Sequence, residues 1–298
     1  MFRDFKAILD KAKGKGPFTI SIAAAQDYDV LKAVKIAQEV GLIKSFLVGD
    51  SNRIKAMLGD LNMGGLDIHV LHEENQDKAA LMAVSLVRSG KAQILMKGLI
   101  NSSNFLKAVL HKDEGLRTGR LLSHLAVFEV PGQDKLVYLS DGGINIAPSL
   151  QEKKDILINM LLALNSMGLD NPNVAVLTAN EQVNSKMPAT LDAKELANLS
   201  LQGAFPPGIV EGPIALDVAV SIEAARHKNI DSKISGKTDA FLVPNIETGN
   251  ALGKCLIYYA RAKMAGLVLG ATNPIVLTSR SETVEGKLNS IALACLAS

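Results

Sequence analysis

Residues 239–282 read DAFLVPNIETGNALGKCLIYYARAKMAGLVLGATNPIVLTSRSE, and the order of apolar and polar runs in this stretch decides the fold. Ala240 to Val243 is short, apolar and closed by Pro244. Leu252, Cys255, Leu256 and Tyr259 then recur at helical spacing, and Ile275 to Leu277 returns to strand character. The pattern predicts strand, polar loop, helix, strand. Each apolar run ends in polar residues: Asn245, Glu247, Thr248, Gly249 and Asn250 after the first, Thr278, Ser279 and Arg280 after the second. In open α/β sheets ligands bind beyond the carboxyl ends of strands, so these two clusters are where chemistry is expected.

Upstream, the same alternation starts early. An amphipathic helix over 2–13 carries Phe2, Phe5, Ile8 and Leu9 on one side. Strand-like runs at Phe18 to Ala25, Ser45 to Val48, Asp67 to Leu71 and Gln93 to Met96 are each followed by helical periodicity. Strand and helix alternating over some 110 residues predict a parallel, helix-covered sheet. The rhythm then changes, because Leu121 to Val130 and Leu136 to Leu139 are joined by PGQDK with no helix between, which predicts a hairpin. Ser149 with Glu152 three residues on is a capping box opening a long helix. Val174 to Leu177, a helix near 191–202 and Ile209 to Val220 continue the alternation, and a domain boundary is placed near Ser149.

A chain of 298 residues, 48% apolar and 21% charged, with no tryptophan, fits aliphatic strands buried under helices. The net charge is +2 with no concentrated Lys/Arg block, so nucleic-acid binding has no electrostatic footprint. No apolar run reaches the roughly 18 residues needed to span a bilayer, and the charged N-terminus does not resemble a signal peptide. The expectation is a soluble cytoplasmic protein. Cys255 and Cys295, each on the apolar side of a predicted helix, read as buried free thiols of a reducing compartment.

There is no G-x-S-x-G, H-E-x-x-H or C-x-x-C, and the histidines are scattered. GNALGKC at 249–255 is one residue short of a phosphate-binding P-loop and has Cys where the metal-binding hydroxyl would stand. Ala23-Ala24-Ala25-Gln26 replaces the glycines of a dinucleotide fingerprint. What remains is a set of small polar loops suited to an anionic ligand through backbone amides, hydroxyls and helix N-termini. They are Lys97-Gly98 with Asn101, Ser102 and Ser103; Ser123-His124; Asp141 to Asn145; Glu247 to Asn250; and Thr278-Ser279-Arg280.

VPNIETGN, YYARAKMAGLVLGA and PIVLTSR, preceded by MKGLINSSNFLKAVL at 96–110, GLRTGRLLSH at 115–124 and LSDGGINIAPSL at 139–150, together resemble the phosphate acetyl/butyryltransferase family, in the family's order and leaning to its butyryl branch. The resemblance covers most of the chain from about Leu95 onward. It implies an α/β fold of two three-layer domains with largely parallel sheets, in an isocitrate/isopropylmalate dehydrogenase-like architecture. Residues 1–149 with 268–298 would form the first domain and 150–267 an inserted second, with the active site in the cleft between them.

The reaction implied is acyl-CoA + phosphate ⇌ acyl phosphate + CoA, most like butyryl transfer, directly in a ternary complex. CoA is a substrate and no cofactor or metal is bound permanently. A homodimer or higher homo-oligomer is implied, with small-molecule substrates and neither nucleic acid nor membrane as partner. By this analogy Ser279 donates its hydroxyl to the oxyanion or thiol, Arg280 clamps phosphate, and His124 joins them as a catalytic candidate. Lys97, Asn101, Ser102, Lys107, Asp141, Asn145, Glu247, Gly249, Asn250 and Thr278 would bind substrate.

Each has a plainer reading. Ser279 with Glu282 could cap the last helix, Arg280 could pair on the surface, and Lys97 could be solvated. His124 could be a hydrogen-bonded core residue, Asp141 and Asn145 turn formers, and Glu247 to Asn250 a helix start. The acetyl branch carries an aspartate six residues after the motif arginine, where this chain has Gly286, and Lys107 stands where an arginine is expected. Glu282, Glu285 and His124 are then the neighbouring groups that could take the thiol proton. Rival readings are a phosphate acetyltransferase, a non-catalytic paralogue that binds CoA or acyl phosphate, and a metal- and NAD-dependent hydroxy-acid dehydrogenase.

Overall fold

The computed structural model describes residues 2–279 and 282–298. It is an α/β fold with mostly parallel strands, and its contacts group residues 2–120 with 265–298 in one compact unit and 121–264 in another.

In the first unit the elements are α1 (Phe5–Lys13), β1 (Phe18–Ala23), α2 (Tyr28–Glu39), β2 (Ile43–Gly49), α3 (Ser51–Asp60), β3 (Ile68–His72), α4 (Gln76–Arg88), β4 (Ile94–Lys97) and α5 (Ser102–Val109). Asp4, Asp27, Asp50, Asn75 and Asn101 cap the five helices, each accepting backbone N–H bonds of the first turn. The parallel register sets Ala23 beside both Val48 and Lys97, so β1, β2 and β4 end level with one another. That shared edge is the carboxyl end expected to carry a site.

In the second unit the elements are β5 (Ser123–Glu129), β6 (Val137–Ser140), α6 (Leu150–Ser166), β7 (Asn173–Leu177), α7 (Pro188–Leu201), β8 (Ile209–Ile214), α8 (Leu216–Val220), α9 (Ile222–His227), β9 (Ala240–Leu242) and α10 (Ile246–Tyr258). Strand order is β5-β6-β9-β7-β8, parallel except for the β5–β6 hairpin. The capping box at Ser149 forms, its backbone N–H reaching Glu152 Oε2 at 2.7 Å. The hairpin, expected with the first domain, lies with the 121–264 unit instead, because β6 pairs with β9 from Tyr138–Ala240 to Ser140–Leu242.

The chain then returns along β10 (Lys263–Leu269), β11 (Ile275–Val276) and α11 (Val284–Ala297). β11 pairs parallel to β4, giving the first unit the order β3-β2-β1-β4-β11-β10, and α11 packs against α1 and α2. The strand-loop-helix-strand expectation omitted β10, whose KMAGLVL runs straight on from the helical pattern with no breaker to separate them.

Two further expectations fail along α10. The polar stretch expected as a loop is its first turn, capped by Asn245, whose Oδ1 accepts from Thr248 N at 3.0 Å and Thr248 Oγ1 at 2.7 Å. The helix seats on its glycines: Gly249 and Gly253, one turn apart, are its buried residues. Resting on that face turns Cys255 and Tyr259 outward, so Cys255 is exposed while Cys295, on α11, is buried as expected. Leu252 and Leu256 reach only the margin of the core.

Candidate active site

The expected site residues fall into two groups, one in each unit. In the first unit, Lys97 ends β4 and is buried. Its ammonium donates to the carbonyls of Gly98 at 3.3 Å and Ile100 at 3.2 Å, so it is tied to the turn that follows the strand. Asn101 is the N-cap of α5, accepting from Ser103 N and Oγ at 2.9 Å each, and Ser102 is exposed at the first helical position. Lys107 sits on the last turn of α5, at the end opposite Asn101 and Ser102.

Past β11, Thr278 is buried and Ser279 exposed. Arg280 lies outside the described residues. Ser279 does not cap the last helix. Thr283 does, its hydroxyl accepting from Gly286 N at 3.0 Å, while Glu282 N donates to the Ser279 carbonyl at 3.1 Å. The loop is held from below by Lys287, 2% exposed, whose ammonium donates to the carbonyls of Glu282 at 2.5 Å and Ser279 at 3.5 Å. Sequence reasoning missed Lys287. The signal was present, since a lysine three residues after Val284 and four before Ile291 interrupts the apolar stripe of α11.

In the second unit, Asp141 organises its own loop. Oδ1 accepts from Gly143 N at 2.8 Å and Ile144 N at 3.0 Å; Oδ2 accepts from Asn145 Nδ2 at 2.6 Å, His124 N at 3.1 Å and Asn145 N at 3.4 Å. Five donors on one buried carboxylate fix the loop and leave Asp141 little capacity for a ligand. Asn145 also donates to the Leu122 carbonyl at 2.9 Å, joining the loop to the start of β5.

The loop lies directly on α10. An added Cβ on Gly249 would stand 2.7 Å from Gly142 Cα, so the two backbones meet where neither residue has a side chain. Glu247 and Asn250 are exposed on that same first turn, with Asn250 Nδ2 3.4 Å from the Gly142 carbonyl. Behind the loop, the His124 ring packs against Gly143, and its buried Nδ1 finds no hydrogen-bond partner among the described residues. Burial pushes the His124 pKa down, with the Asp141 carboxylate opposing.

A cleft of about 440 Å³ in the first unit is lined by Arg88, Lys112, Arg117, Thr272 and Asn273 among others. Of the sequence motifs, it takes in only the start of GLRTGR. Among the described residues no three His, Cys, Asp or Glu side chains gather where they could hold a metal ion, and no helix is long and apolar enough to cross a membrane.

Hydroxyls, the N-terminal turns of α5 and α10 with their exposed polar residues, and a buried lysine at a strand end make an α/β protein suited to anionic small molecules. Over residues 58–295 the chain matches the family described as phosphate acetyl/butaryl transferase. It is 45% identical to the phosphate butyryltransferase of Clostridium acetobutylicum, over 99% of this chain and 98% of that one. It is 37% identical to the phosphate acetyltransferase of Rhizobium meliloti, over 98% of this chain and 92% of that one. The crystal structure of a branched-chain phosphotransacylase from Enterococcus faecalis V583 aligns with a TM-score of 0.81 at 33% identity, covering 94% of this chain and 98% of that one. The chain therefore belongs to the phosphate acetyl/butyryl transferase family and is a phosphate acyltransferase.

Proposed function

We propose that this enzyme interconverts butyryl-CoA and phosphate with butyryl phosphate and CoA, by direct transfer in a ternary complex. The observation that carries the choice of acyl group is the higher identity, over essentially full length, to a phosphate butyryltransferase than to a phosphate acetyltransferase. Gly286, in place of the acetyl-branch aspartate, points the same way.

The reaction asks the protein to hold two anions side by side and to stabilise a tetrahedral oxyanion. In our reading the two groups of residues serve that one reaction, in the cleft of a two-domain, isocitrate/isopropylmalate dehydrogenase-like architecture. Ser279 Oγ donates to the oxyanion and Arg280 clamps phosphate with its planar fork. The first-turn amides of α5 and α10 add donors, with Lys97 holding the β4–α5 turn in place and Asp141 the loop under α10. Lys107, on the far turn of α5, contributes charge rather than contact.

The test is phosphate-dependent loss of the thioester absorbance with acetyl-, propionyl- and butyryl-CoA, with and without divalent metal. Turnover peaking at butyryl-CoA and indifferent to metal is expected. A peak at acetyl-CoA would overturn the choice of acyl group, and CoA binding without turnover would make the chain a binding paralogue.

A further inference from the structure

Glu282 is a carboxylate that the reading above leaves without work. It follows the TSR motif, is half-buried, and is fixed at both ends of its backbone: its N–H donates to the Ser279 carbonyl at 3.1 Å, and its own carbonyl accepts from Lys287 Nζ at 2.5 Å. Its side chain folds over the first turn of α11. There the backbone N–H of Thr283 donates to Oε1 at 3.1 Å, the one hydrogen bond to the carboxylate among the described residues.

Gly286 makes this possible. A Cβ at 286 would collide with Glu282 Oε1 and stand 2.7 Å from Cδ and 3.0 Å from Cγ. Gly286, in the first turn of α11, does not have the positive φ that favours glycine, so the backbone gives no reason for it here. The reason on view is the carboxylate that fills its missing side chain. Burial raises the Glu282 pKa, while the Thr283 N–H and the Lys287 ammonium act against that rise. Among the described residues Lys287 is the charged group that bears on it, and Glu285, on the same turn, is exposed.

We propose that Glu282, seated over Gly286, is the group that takes the proton of the CoA thiol. The proposal rests on the acyl-transfer reading. As acyl phosphate and CoA react, the S–H proton passes to the Glu282 carboxylate and the sulfur lone pair forms the C–S bond. The tetrahedral oxyanion then collapses and the C–O bond to phosphate breaks, its electrons leaving with phosphate. In reverse, phosphate oxygen attacks the thioester, the C–S bond breaks, and protonated Glu282 returns its proton to the leaving thiolate. A buried carboxyl group serves both directions better than a solvated one, because its pKa lies closer to working pH. Of the three candidate proton acceptors, Glu282 alone combines partial burial, a fixed backbone and a place in the Ser279 loop.

The experiment compares wild type with Glu282→Gln, Gly286→Ala and the double variant Glu282→Ala/Gly286→Asp in butyryl transfer across pH, with melting curves for each. Glu282→Gln is expected to lose about 100-fold or more in kcat, and with it the acidic limb of the pH profile. Gly286→Ala, which keeps the glutamate but evicts its carboxylate, should also lose activity. The double variant, which returns a carboxylate to the same volume from the other residue, should regain at least about tenfold. A folded Glu282→Gln within threefold of wild type, or one that keeps the acidic limb, would overturn the proposal while leaving the function intact. Wild type inactive on every acyl-CoA would overturn the acyl-transfer reading and this inference with it.

Discussion

Gly249→Ala tests whether the contact between α10 and the Asp141 loop matters as the geometry says. The new methyl group would stand 2.7 Å from Gly142 Cα, 2.9 Å from Val243 Cγ2 and 3.1 Å from the Asp141 carbonyl oxygen. Against an ordinary contact distance of about 3.4 Å, the nearest pair is about 0.7 Å too close, and two of the three neighbours are backbone atoms that cannot rotate away. The loop and helix must separate by about that much. Overpacking of this kind costs about 1–3 kcal/mol, which for a unit of this size lowers Tm by about 2–12 °C.

A shift approaching 1 Å in a positioning loop can cost about 100-fold in rate, so kcat should fall by more than the loss of stability explains. Thermal melts and butyryl-CoA kinetics measure both. The control is Gly59→Ala on α3, exposed and with nothing within 4 Å of its added Cβ. That substitution should stabilise by about 0.5–1 kcal/mol, through reduced freedom of the unfolded chain. If both alanines moved Tm in the same direction, or Gly249→Ala left Tm and kcat unchanged, the reasoning from backbone contact would be wrong.

Lys287→Met removes the ammonium that holds the Ser279 and Glu282 carbonyls. Each such bond is worth about 1.5–3 kcal/mol, but the substitution also relieves a buried cation, so Tm should move by only a few degrees while kcat falls about tenfold or more; unchanged kinetics would count against a role in the loop. A thiol reagent should label one cysteine in the native protein and two after denaturation, because Cys255 is exposed while Cys295 is buried with its thiol pKa pushed far up; no native labelling would contradict the seating of α10. His124 has its pKa lowered by burial, so the unfolded chain binds the proton more readily than the folded one. The stability this contributes is complete above about pH 6.5 and is lost as pH falls through that value toward the folded pKa. Urea melts of His124→Gln should show a shallower loss below pH 6.5 than wild type, and parallel profiles would refute the shift.

Much of the fold could be read from the chain itself. Apolar runs, most of them followed by helical spacing, located all but one of the strands among the described residues, because alternation and capping are local properties. The exception was β10, which has no Gly or Pro to part it from the helix before it. The candidate site was legible at the level of motif and not of role. Asp141 and Asn145 looked equally like ligands and turn formers, and the five donors that meet on the Asp141 carboxylate are visible only in three dimensions.

Spacing also allowed Ser279 as a cap of the last helix, the plainer alternative to a role in the site, but the helix starts later and Thr283 takes that part. Family and chemistry class thus follow from the sequence, since they reside in contiguous motifs. Three things came only from the folded chain: the glycine face that seats α10, the carbonyls that Lys287 holds beneath the Ser279 loop, and the carboxylate of Glu282 in the space left by Gly286. All three depend on which side of a helix meets its neighbour and how closely, and packing decides that.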